Sequence, residues 1–396
     1  MGRIIHYASM IVTGCGPTIK NAALVEEDGK IVLVTTADDP KVKGWGNDSN
    51  VQHIYHKRFT LIPGFIDQHT HGALGFDFIS VNQDNLREIA TFYAQEGSTS
   101  FLTSLMTLPH DQELEILSTY SSLKPCIDGA RWIGIHDEGP FISLKYKAMM
   151  DPLGIRPINI NELEENIKAC GGKLKMVTVA PELEGIEAFI KTCARFKIAV
   201  MFAHSDATAK QTLHALHEGG DGFTHLYNAM TQHTHRNPGM VTAALIEGNS
   251  YCELIVDGFH VDPLVIKMTY EKIGSKRIIG VTDGNPAKGL GDIEFEFGGV
   301  KCISKNGRAL TKETQRIAGS TVGMIDVFRN LMTFTGCSIE EVVEMCSVNP
   351  AHLLKLTDIG LLKPGYKADF IVLDEQYQVL STYRDGRCVY NAPGNK

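Results

Sequence analysis

The sequence lacks the features that mark several common protein classes. It has no Cys-x-x-Cys pair, and its nine cysteines are an odd number scattered from Cys15 to Cys388, which argues against a disulfide framework and a thiolate zinc cluster. It has no run rich in lysine and arginine, and acidic residues outnumber basic ones by 46 to 38, so nucleic-acid binding has no electrostatic basis. We expect a protein of the reducing cytoplasm.

Long apolar runs are also missing. The longest, such as residues 198–202, fall far short of the ~20 residues needed to cross a bilayer. The first twelve residues, MGRIIHYASMIV, are interrupted by Arg3, His6 and Tyr7, so we expect neither a secretory leader nor a membrane partner.

A regular alternation of short β-branched runs with amphipathic stretches extends from about residue 61 to residue 283. This alternation is typical of repeated βα units around a parallel sheet. Eight strands predict a closed (β/α)₈ barrel of the TIM type. The predicted strands are residues 61–68, 98–105, 132–137, 175–180, 198–203, 222–224, 251–257 and 277–282, with helical patterns such as 84–95, 183–194 and 262–273 between them.

Both chain ends have a different character, because short runs there alternate like small antiparallel strands broken by Gly, Pro and Asn. We predict one small β-sandwich domain built from both termini, with division of the chain at 1–60, 61–355 and 356–396. A hairpin is predicted at 291–310 and helices at 321–335 and 339–346. The terminal strands are predicted at residues 3–12, 22–25, 30–34, 52–60, 370–373 and 387–390.

Two histidines, His69 and His71, end the first predicted strand in FIDQHTHG. Residues two apart on a strand share one face, which in a barrel can be the lumen. Active sites lie at the carboxyl ends of barrel strands, and two neutral imidazoles there can bind Zn²⁺ or a similar ion. His233 and His235 repeat the tripeptide without a preceding strand, so we expect that pair on the surface.

Four further residues with metal-binding or acid–base side chains each follow a different predicted strand. They are Glu138 in HDEGPF, His204 in FAHSDAT, His225 in THLYNAM and Asp283 in VTDGN. Any one of them alone is more often structural. Only a barrel brings all four together, however, and a His, Glu and Asp set with open positions is what a hydrolytic metal centre requires.

Together these segments resemble the amidohydrolase superfamily and, within it, the N-acetylglucosamine-6-phosphate deacetylases. The resemblance covers nearly the whole chain, including PGFIDQHTHG, HDEGPFIS, VDGFHVDP, IAGST and GLLKPGYKADFIVLD. It implies one divalent ion bound by Glu138, His204 and His225, and it leaves His69 and His71 available for a second. Zinc is the first expectation, with iron, manganese and cobalt as alternatives.

The resemblance also implies a reaction. Amide hydrolysis needs an activated water, a polarised carbonyl and a proton for the departing amine. Asp283 is implied as the general base and then the general acid, and His260 in DGFH as the group that polarises the acetyl carbonyl. The implied activity is removal of the acetyl group from N-acetylglucosamine 6-phosphate in amino-sugar catabolism.

Further residues are implied for substrate binding. The guanidinium of Arg236 matches the oxygens of a phosphate ester, and Asn228 and Ala229 would approach the same phosphate. The backbone of Ile317, Ala318 and Gly319 would line the sugar pocket. A homodimer is also implied, in which one subunit can contribute to the phosphate site of its neighbour.

Two segments depart from the family pattern. Lys147, Ala148, Met149 and Met150 stand where these deacetylases often have a histidine-containing segment, and Gly284 and Asn285 follow Asp283. Both changes are expected near the substrate pocket, so N-acetylgalactosamine 6-phosphate or another acylated substrate stays open.

Two other functions compete with deacetylation. A hydrolase of cyclic amides or dipeptides would be favoured by a carboxylated barrel lysine, but Lys175 stands only at the start of the fourth predicted strand. A non-catalytic scaffold that has lost its metal is opposed by retention of all six candidate ligands.

Overall fold

The computed structural model describes residues 2–56 and 58–395. Its centre is a sheet of eight strands that follow one another in chain order, each parallel to the next. Thr282 beside the last strand and Asp67 on the first are joined by a hydrogen bond of 2.6 Å between Thr282 Oγ1 and Asp67 Oδ2. The predicted barrel is confirmed. Its strands are Phe65–Asp67, Ser98–Met106, Arg131–Glu138, Leu174–Val179, Ala199–Phe202, Gly222–Phe223, Tyr251–Ile255 and Ile278–Val281.

Helices follow most barrel strands, and capping residues in the sequence mark where several of them begin. Asn82 and Asn159 accept backbone N–H bonds at two helix starts, Thr208 forms a capping box with Gln211, and Asp262 precedes a first-turn proline. Within the described residues, no helix combines the length and apolar character needed to span a bilayer. The α-helices are Pro40–Gly44, Gln83–Gln95, His110–Ser122, Ile160–Ala169, Ile186–Arg195, Ala209–His217, Met240–Ile246, Pro263–Ile273, Met324–Thr335, Ile339–Val343 and Asn349–Leu353, with short 3₁₀ turns at Phe78–Ser80, Leu144–Tyr146 and Ser275–Arg277 and a π-helical turn at Glu344–Val348.

A second sheet, here called the terminal sheet, takes strands from both ends of the chain, as predicted. Apolar side chains pack on both of its faces, with Leu24 in one cluster and Val25 in another. The predicted division of the chain at residues 60 and 355 stays a prediction. The strands of the terminal sheet are Arg3–Ile11, Ile19–Glu27, Lys30–Thr36, Val51–Tyr55, Thr60–Pro63, Phe370–Leu373, Val379–Arg384 and Arg387–Asn391.

Three details of the terminal sheet differ from the prediction. Its strands are not all antiparallel, because Arg3–Ile11 pairs in parallel with both Val51–Tyr55 and Thr60–Pro63. The strand Val379–Arg384 was not predicted. The predicted strand 61–68 is split, since its first half belongs to the terminal sheet and only Phe65–Asp67 belongs to the barrel.

Gly64 is the point at which the split strand passes from one sheet to the other. A Cβ atom on Gly64 would lie 2.1 Å from Thr99 Cγ2 on the second barrel strand. Only glycine therefore allows the backbone to approach that strand closely.

The segment after the eighth strand forms a three-stranded antiparallel sheet, so the predicted hairpin was too small. Its strands are Ile293–Phe297, Val300–Lys305 and Arg308–Thr311. The first of them ends on Phe297, whose ring lies 5.4 Å from the ring of His71. This small sheet therefore forms part of the wall of the barrel mouth. Gly72–Ala73 and Phe76–Asp77 form a further two-stranded ladder.

Candidate metal centre and substrate pocket

The predicted ligands all lie at the carboxyl ends of barrel strands. His204, His225 and Asp283 have left-handed backbone conformations, with φ of 49°, 31° and 47°. Residues other than glycine seldom adopt such angles, and they concentrate at functional sites. Here they turn the chain sharply where each strand ends.

Glu138 lies between two pairs of histidines, which we call the first pair (His69 and His71) and the second pair (His204 and His225). Its Oε1 is 2.9 Å from His225 Nε2, 3.2 Å from His204 Nε2 and 3.6 Å from His69 Nε2. Its Oε2 is 3.2 Å from His71 Nε2. One carboxylate thus contacts all four imidazoles.

Asp283 joins this cluster from the side of the first pair. Its Oδ1 lies 3.2 Å from His71 Nε2 and 3.4 Å from His69 Nε2. Its side chain is 13% exposed, whereas Glu138 is 3% exposed. Of these two carboxylates, Asp283 is therefore the one more open to an incoming molecule.

The arrangement fits divalent cations. The ligand atoms of His69, His71 and Glu138 lie within 4.8 Å of one another, as do those of Glu138, His204 and His225. The two Nε2 atoms are 3.1 Å apart in the first pair and 3.2 Å apart in the second. Ligand atoms placed ~2.1 Å from a tetrahedral cation are separated by roughly 3.4 Å, so both pairs are close to a coordinating geometry with Glu138 between them.

The charges of the cluster are strongly coupled. Burial lowers the pKa of His71, but the Asp283 and Glu138 carboxylates outweigh it and raise that pKa to about 9. Burial likewise lowers the pKa of His69, and Glu138 and Glu253 outweigh it, so the net shift is upward. Burial raises the pKa of Glu138, but His69, His204 and His225 outweigh it and hold the pKa well below its ordinary value. The cluster therefore favours ionised carboxylates opposed by positive charge. Divalent cations can supply that charge in place of the protons on the histidines.

Three contacts behind the ligands were not predicted. Glu253 on the seventh strand is 3.0 Å from His69 Nδ1, and the carbonyl of Tyr146 is 2.9 Å from His204 Nδ1. Asp257 Oδ2 is 2.7 Å from His260 Nδ1. The isolated carboxylate of Glu253 in the apolar run CELIV and the i, i+3 spacing of Asp257 and His260 were the available signals.

A cavity of about 210 Å³ opens at this mouth. Its lining includes the predicted Asn228, Ala229, His260, Ile317 and Gly319. Its other walls are formed by His71, Met106, Glu138, Ala148, Met149, Met150, His204, His225, Asp283 and Phe297.

Two of the predicted substrate-binding residues are not among those that line the cavity. Ala318 is fully buried behind the wall. Arg236 is exposed in the loop that follows the sixth strand, and no lysine or arginine is among the described residues that line the cavity. His233 and His235 are exposed in the same loop, as expected.

The two departures from the family pattern have different positions. Ala148, Met149 and Met150 line the cavity. Asn285 does not; it is fully buried and its amide donates to the Ala318 carbonyl at 2.7 Å. The first departure therefore contributes to the cavity wall, and Asn285 lies directly behind that wall, against the backbone between the lining residues Ile317 and Gly319.

Comparisons with known proteins agree with this geometry. The model of the amidohydrolase family matches residues 60–389. N-acetylglucosamine-6-phosphate deacetylase from Lysinibacillus sphaericus is 32% identical over 385 residues, covering 93% of this chain and 96% of that protein. N-acetylgalactosamine-6-phosphate deacetylase from Escherichia coli O157:H7 is 33% identical over 336 residues, covering 83% and 87%.

A solved structure is similar over the whole fold. It is a mutant of N-acetyl-D-glucosamine-6-phosphate deacetylase from Mycobacterium smegmatis in complex with N-acetyl-D-glucosamine-6-phosphate, with a TM-score of 0.90 and 28% identity over 99% of this chain and 100% of that one. With the family match and the relatives above, this similarity confirms the resemblance seen in the sequence motifs. The chain belongs to the amidohydrolase family of metal-dependent hydrolases, in the branch of the N-acetylglucosamine-6-phosphate deacetylases.

Proposed function

We propose that this protein hydrolyses the acetamido group of N-acetylglucosamine 6-phosphate, releasing acetate and glucosamine 6-phosphate. The observation that carries the proposal is the position of Glu138 between two histidine pairs, with Asp283 beside them at the cavity. Relatives with this activity in their names match over most of the chain. A divalent cation bound there would lower the pKa of a water and polarise a carbonyl.

Asp283 is proposed to carry the proton. Burial raises its pKa, but His71 and His69 outweigh that effect and lower it, so the carboxylate is ionised at neutral pH. It can accept a proton from the attacking water and then donate it to the sugar nitrogen as the C–N bond breaks.

His260 is proposed to stabilise the charge that develops on the acetyl oxygen. Its Nδ1–H donates to Asp257 Oδ2 at 2.7 Å, and Asp257 Oδ1 accepts from the backbone N–H of His260 at 2.8 Å. The Asp257 carboxylate fixes the orientation of the ring, and Nε2–H, present when both ring nitrogens carry protons, would donate to the carbonyl oxygen.

The phosphate needs a positive charge that the described walls of the cavity do not contain. Arg236 is proposed to supply it from its exposed loop, with Asn228 and Ala229 binding the phosphate from the wall. A homodimer, in which this loop can serve a neighbouring subunit, is part of the proposal, and sedimentation velocity tests it directly.

Zinc and a cytoplasmic location are also proposed. Buried histidine nitrogens with a carboxylate oxygen suit zinc, although manganese, iron and cobalt accept the same donors. All nine cysteines are free, which suits a reducing compartment.

N-acetylgalactosamine 6-phosphate is the second candidate substrate, because a relative named for that activity is 33% identical over 336 residues, against 32% over 385 residues for one named for the glucosamine compound. The cavity wall at Met149 and Met150 lacks a polar group that would distinguish sugar hydroxyls. By contrast, Lys175 lies at the amino end of the fourth strand and lines a separate cavity with Trp132, so it offers nothing to a cyclic-amide hydrolase site at the mouth.

The deciding experiment measures acetate released from both sugar phosphates by protein loaded with zinc, manganese, cobalt or iron in turn. We expect the higher kcat/KM with N-acetylglucosamine 6-phosphate. Asp283→Asn should lower kcat by about 10²–10⁴-fold, while metal content and substrate binding persist. No acetate from either compound with any metal would refute the proposal.

A further inference from the structure

Glu253 is a buried carboxylate that the proposed reaction does not use. It lies in the seventh strand, Tyr251–Ile255, between apolar neighbours and is fully buried. It is not among the described residues that line the cavity. A buried charge is costly unless hydrogen bonds compensate it, so its partners should reveal why it is there.

The described hydrogen-bond partners of its side chain are His69 and His225 of the proposed metal centre and Gln68, the residue before His69. Oε1 accepts from Gln68 Nε2 at 2.7 Å. Oε2 lies 3.0 Å from His69 Nδ1 and accepts from the backbone N–H of His225 at 3.2 Å. One side chain therefore holds a residue of the first pair and the backbone of the second.

The contact with His69 determines the tautomer of that imidazole. A carboxylate only accepts hydrogen bonds, so in the neutral imidazole that binds metal Nδ1 must carry the proton and Nε2 the lone pair. That Nε2 lies 3.1 Å from His71 Nε2 and 3.6 Å from Glu138 Oε1. Glu253 thus prepares His69 as a metal ligand.

The other histidines have weaker support. His204 Nδ1 contacts only the carbonyl of Tyr146, while His71 Nδ1 and His225 Nδ1 are buried without a hydrogen-bond partner among the described residues. A carboxylate raises the basicity of a ligating imidazole more than a carbonyl does. Glu253 would also place a negative charge near the proposed cations while its oxygens contact Gln68, His69 and the backbone of His225.

We propose that Glu253 is the positioning residue for the second cation that the family resemblance implies: its carboxylate sets the tautomer and orientation of His69, which with His71 and Glu138 would hold that cation. The inference rests on the metal centre of the proposed function and not on its substrate. Its failure is therefore distinguishable from failure of the acetate assay.

The test counts metal ions in purified wild-type protein and in Glu253→Gln after saturation with Mn²⁺ and removal of free ion. We expect two ions per wild-type chain and one in Glu253→Gln, with affinity at the lost site weakened about 10–100-fold. Paramagnetic resonance should show two coupled Mn²⁺ ions in the wild type and an isolated ion in the variant. Glu375→Gln, which removes an exposed charge in the terminal region, should retain both ions.

A double mutant separates positioning from general structural damage. If Glu253 acts through His69, Glu253→Gln should change neither metal content nor Mn²⁺ affinity further in a His69→Asn background. A single ion in saturated wild-type protein would overturn the proposal. So would two tightly bound ions in Glu253→Gln, equal loss of both ions, or an undiminished effect of Glu253→Gln without His69.

Discussion

Two pairs of buried histidines in this molecule have the same distance between ring nitrogens, but their pKa values are shifted in opposite directions. In the first pair at the barrel mouth, the Nε2 atoms of His69 and His71 are 3.1 Å apart. In the terminal sheet, His6 Nδ1 and His56 Nε2 are also 3.1 Å apart, and the two rings are stacked. We call His6 and His56 the terminal pair.

The neighbours account for the difference. Carboxylates face the first pair, and they raise the pKa of His71 to about 9 against the effect of burial. The rings of Phe370 and Tyr383 face His6, where burial and then His56 lower the pKa to about 3. Burial lowers the pKa of His56 to about 4. A buried imidazole becomes a ligand or a packing element according to the charges around it.

The largest effect is expected from removing the carboxylate that faces the first pair at the mouth. Glu138→Gln should lower kcat/KM for acetate release by at least about 10³-fold, or roughly 4 kcal/mol, because it removes a ligand shared by both pairs. Metal analysis should show loss of ions as well. A Glu138→Gln protein that keeps its metal and most of its activity would show that the carboxylate does not define the site.

The terminal pair predicts a smaller effect, on stability. Because folding lowers the pKa of His6 from 6.5 to about 3, the unfolded chain binds the proton first, and stability falls as pH drops below 6.5 towards 3. His6→Phe should remove about 2 kcal/mol of the loss in unfolding free energy between pH 7 and pH 5. Urea titrations at both pH values measure it.

The exposed His214 supplies the control, since its side chain is 55% exposed. His214→Phe removes an imidazole from the surface, so the difference between the urea titrations of the two variants isolates the contribution of the buried position. Equal slopes for His6→Phe and the wild type would show that the terminal pair is not neutral in the folded protein.

The smallest predicted effect is a change with pH in the affinity of the first pair for Mn²⁺. With the pKa of His71 raised to about 9 in the metal-free chain, a proton must leave before a cation binds at neutral pH. The apparent affinity for Mn²⁺ should therefore rise about tenfold per pH unit, or roughly 1.4 kcal/mol, for each proton displaced. Competition with a chelator at pH 6.5, 7.0 and 7.5 measures this slope, and a flat profile would contradict it.

The sequence predicted the barrel correctly, and it predicted that the candidate ligands would lie together at the mouth, because both depend on local signals. The barrel strands are short and mostly buried, and the candidate ligands lie at or just after their ends: Glu138 ends the third strand, and His204 and His225 stand two residues after the fifth and sixth. Parallel strands aligned in one sheet then bring their carboxyl ends together whatever the loops do. Long-range pairing carries less local signal, so the division of 61–68 between two sheets was missed. The third strand, Arg308–Thr311, was also missed, although it pairs with the preceding strand through a tight turn.

Residues that act through others were the hardest to predict. Glu253 and Asp257 contact the proposed ligand His69 and the proposed catalytic residue His260, and a single acidic residue in or after an apolar strand has several common explanations. Arg236 was hard to predict for a different reason. Its side chain lies in an exposed loop, where it has no fixed partner among the described residues that the local sequence could indicate.

The strand Thr60–Pro63 lies in the terminal sheet between Arg3–Ile11 and Phe370–Leu373. During synthesis it has one unpaired edge until roughly 300 more residues have been made, and closing such a loop costs about 3 kcal/mol more entropy than closing one of ten residues. An unpaired edge invites association with other chains. Nascent or truncated chains that stop before Phe370 should therefore depend on chaperones, even when their barrel is already complete.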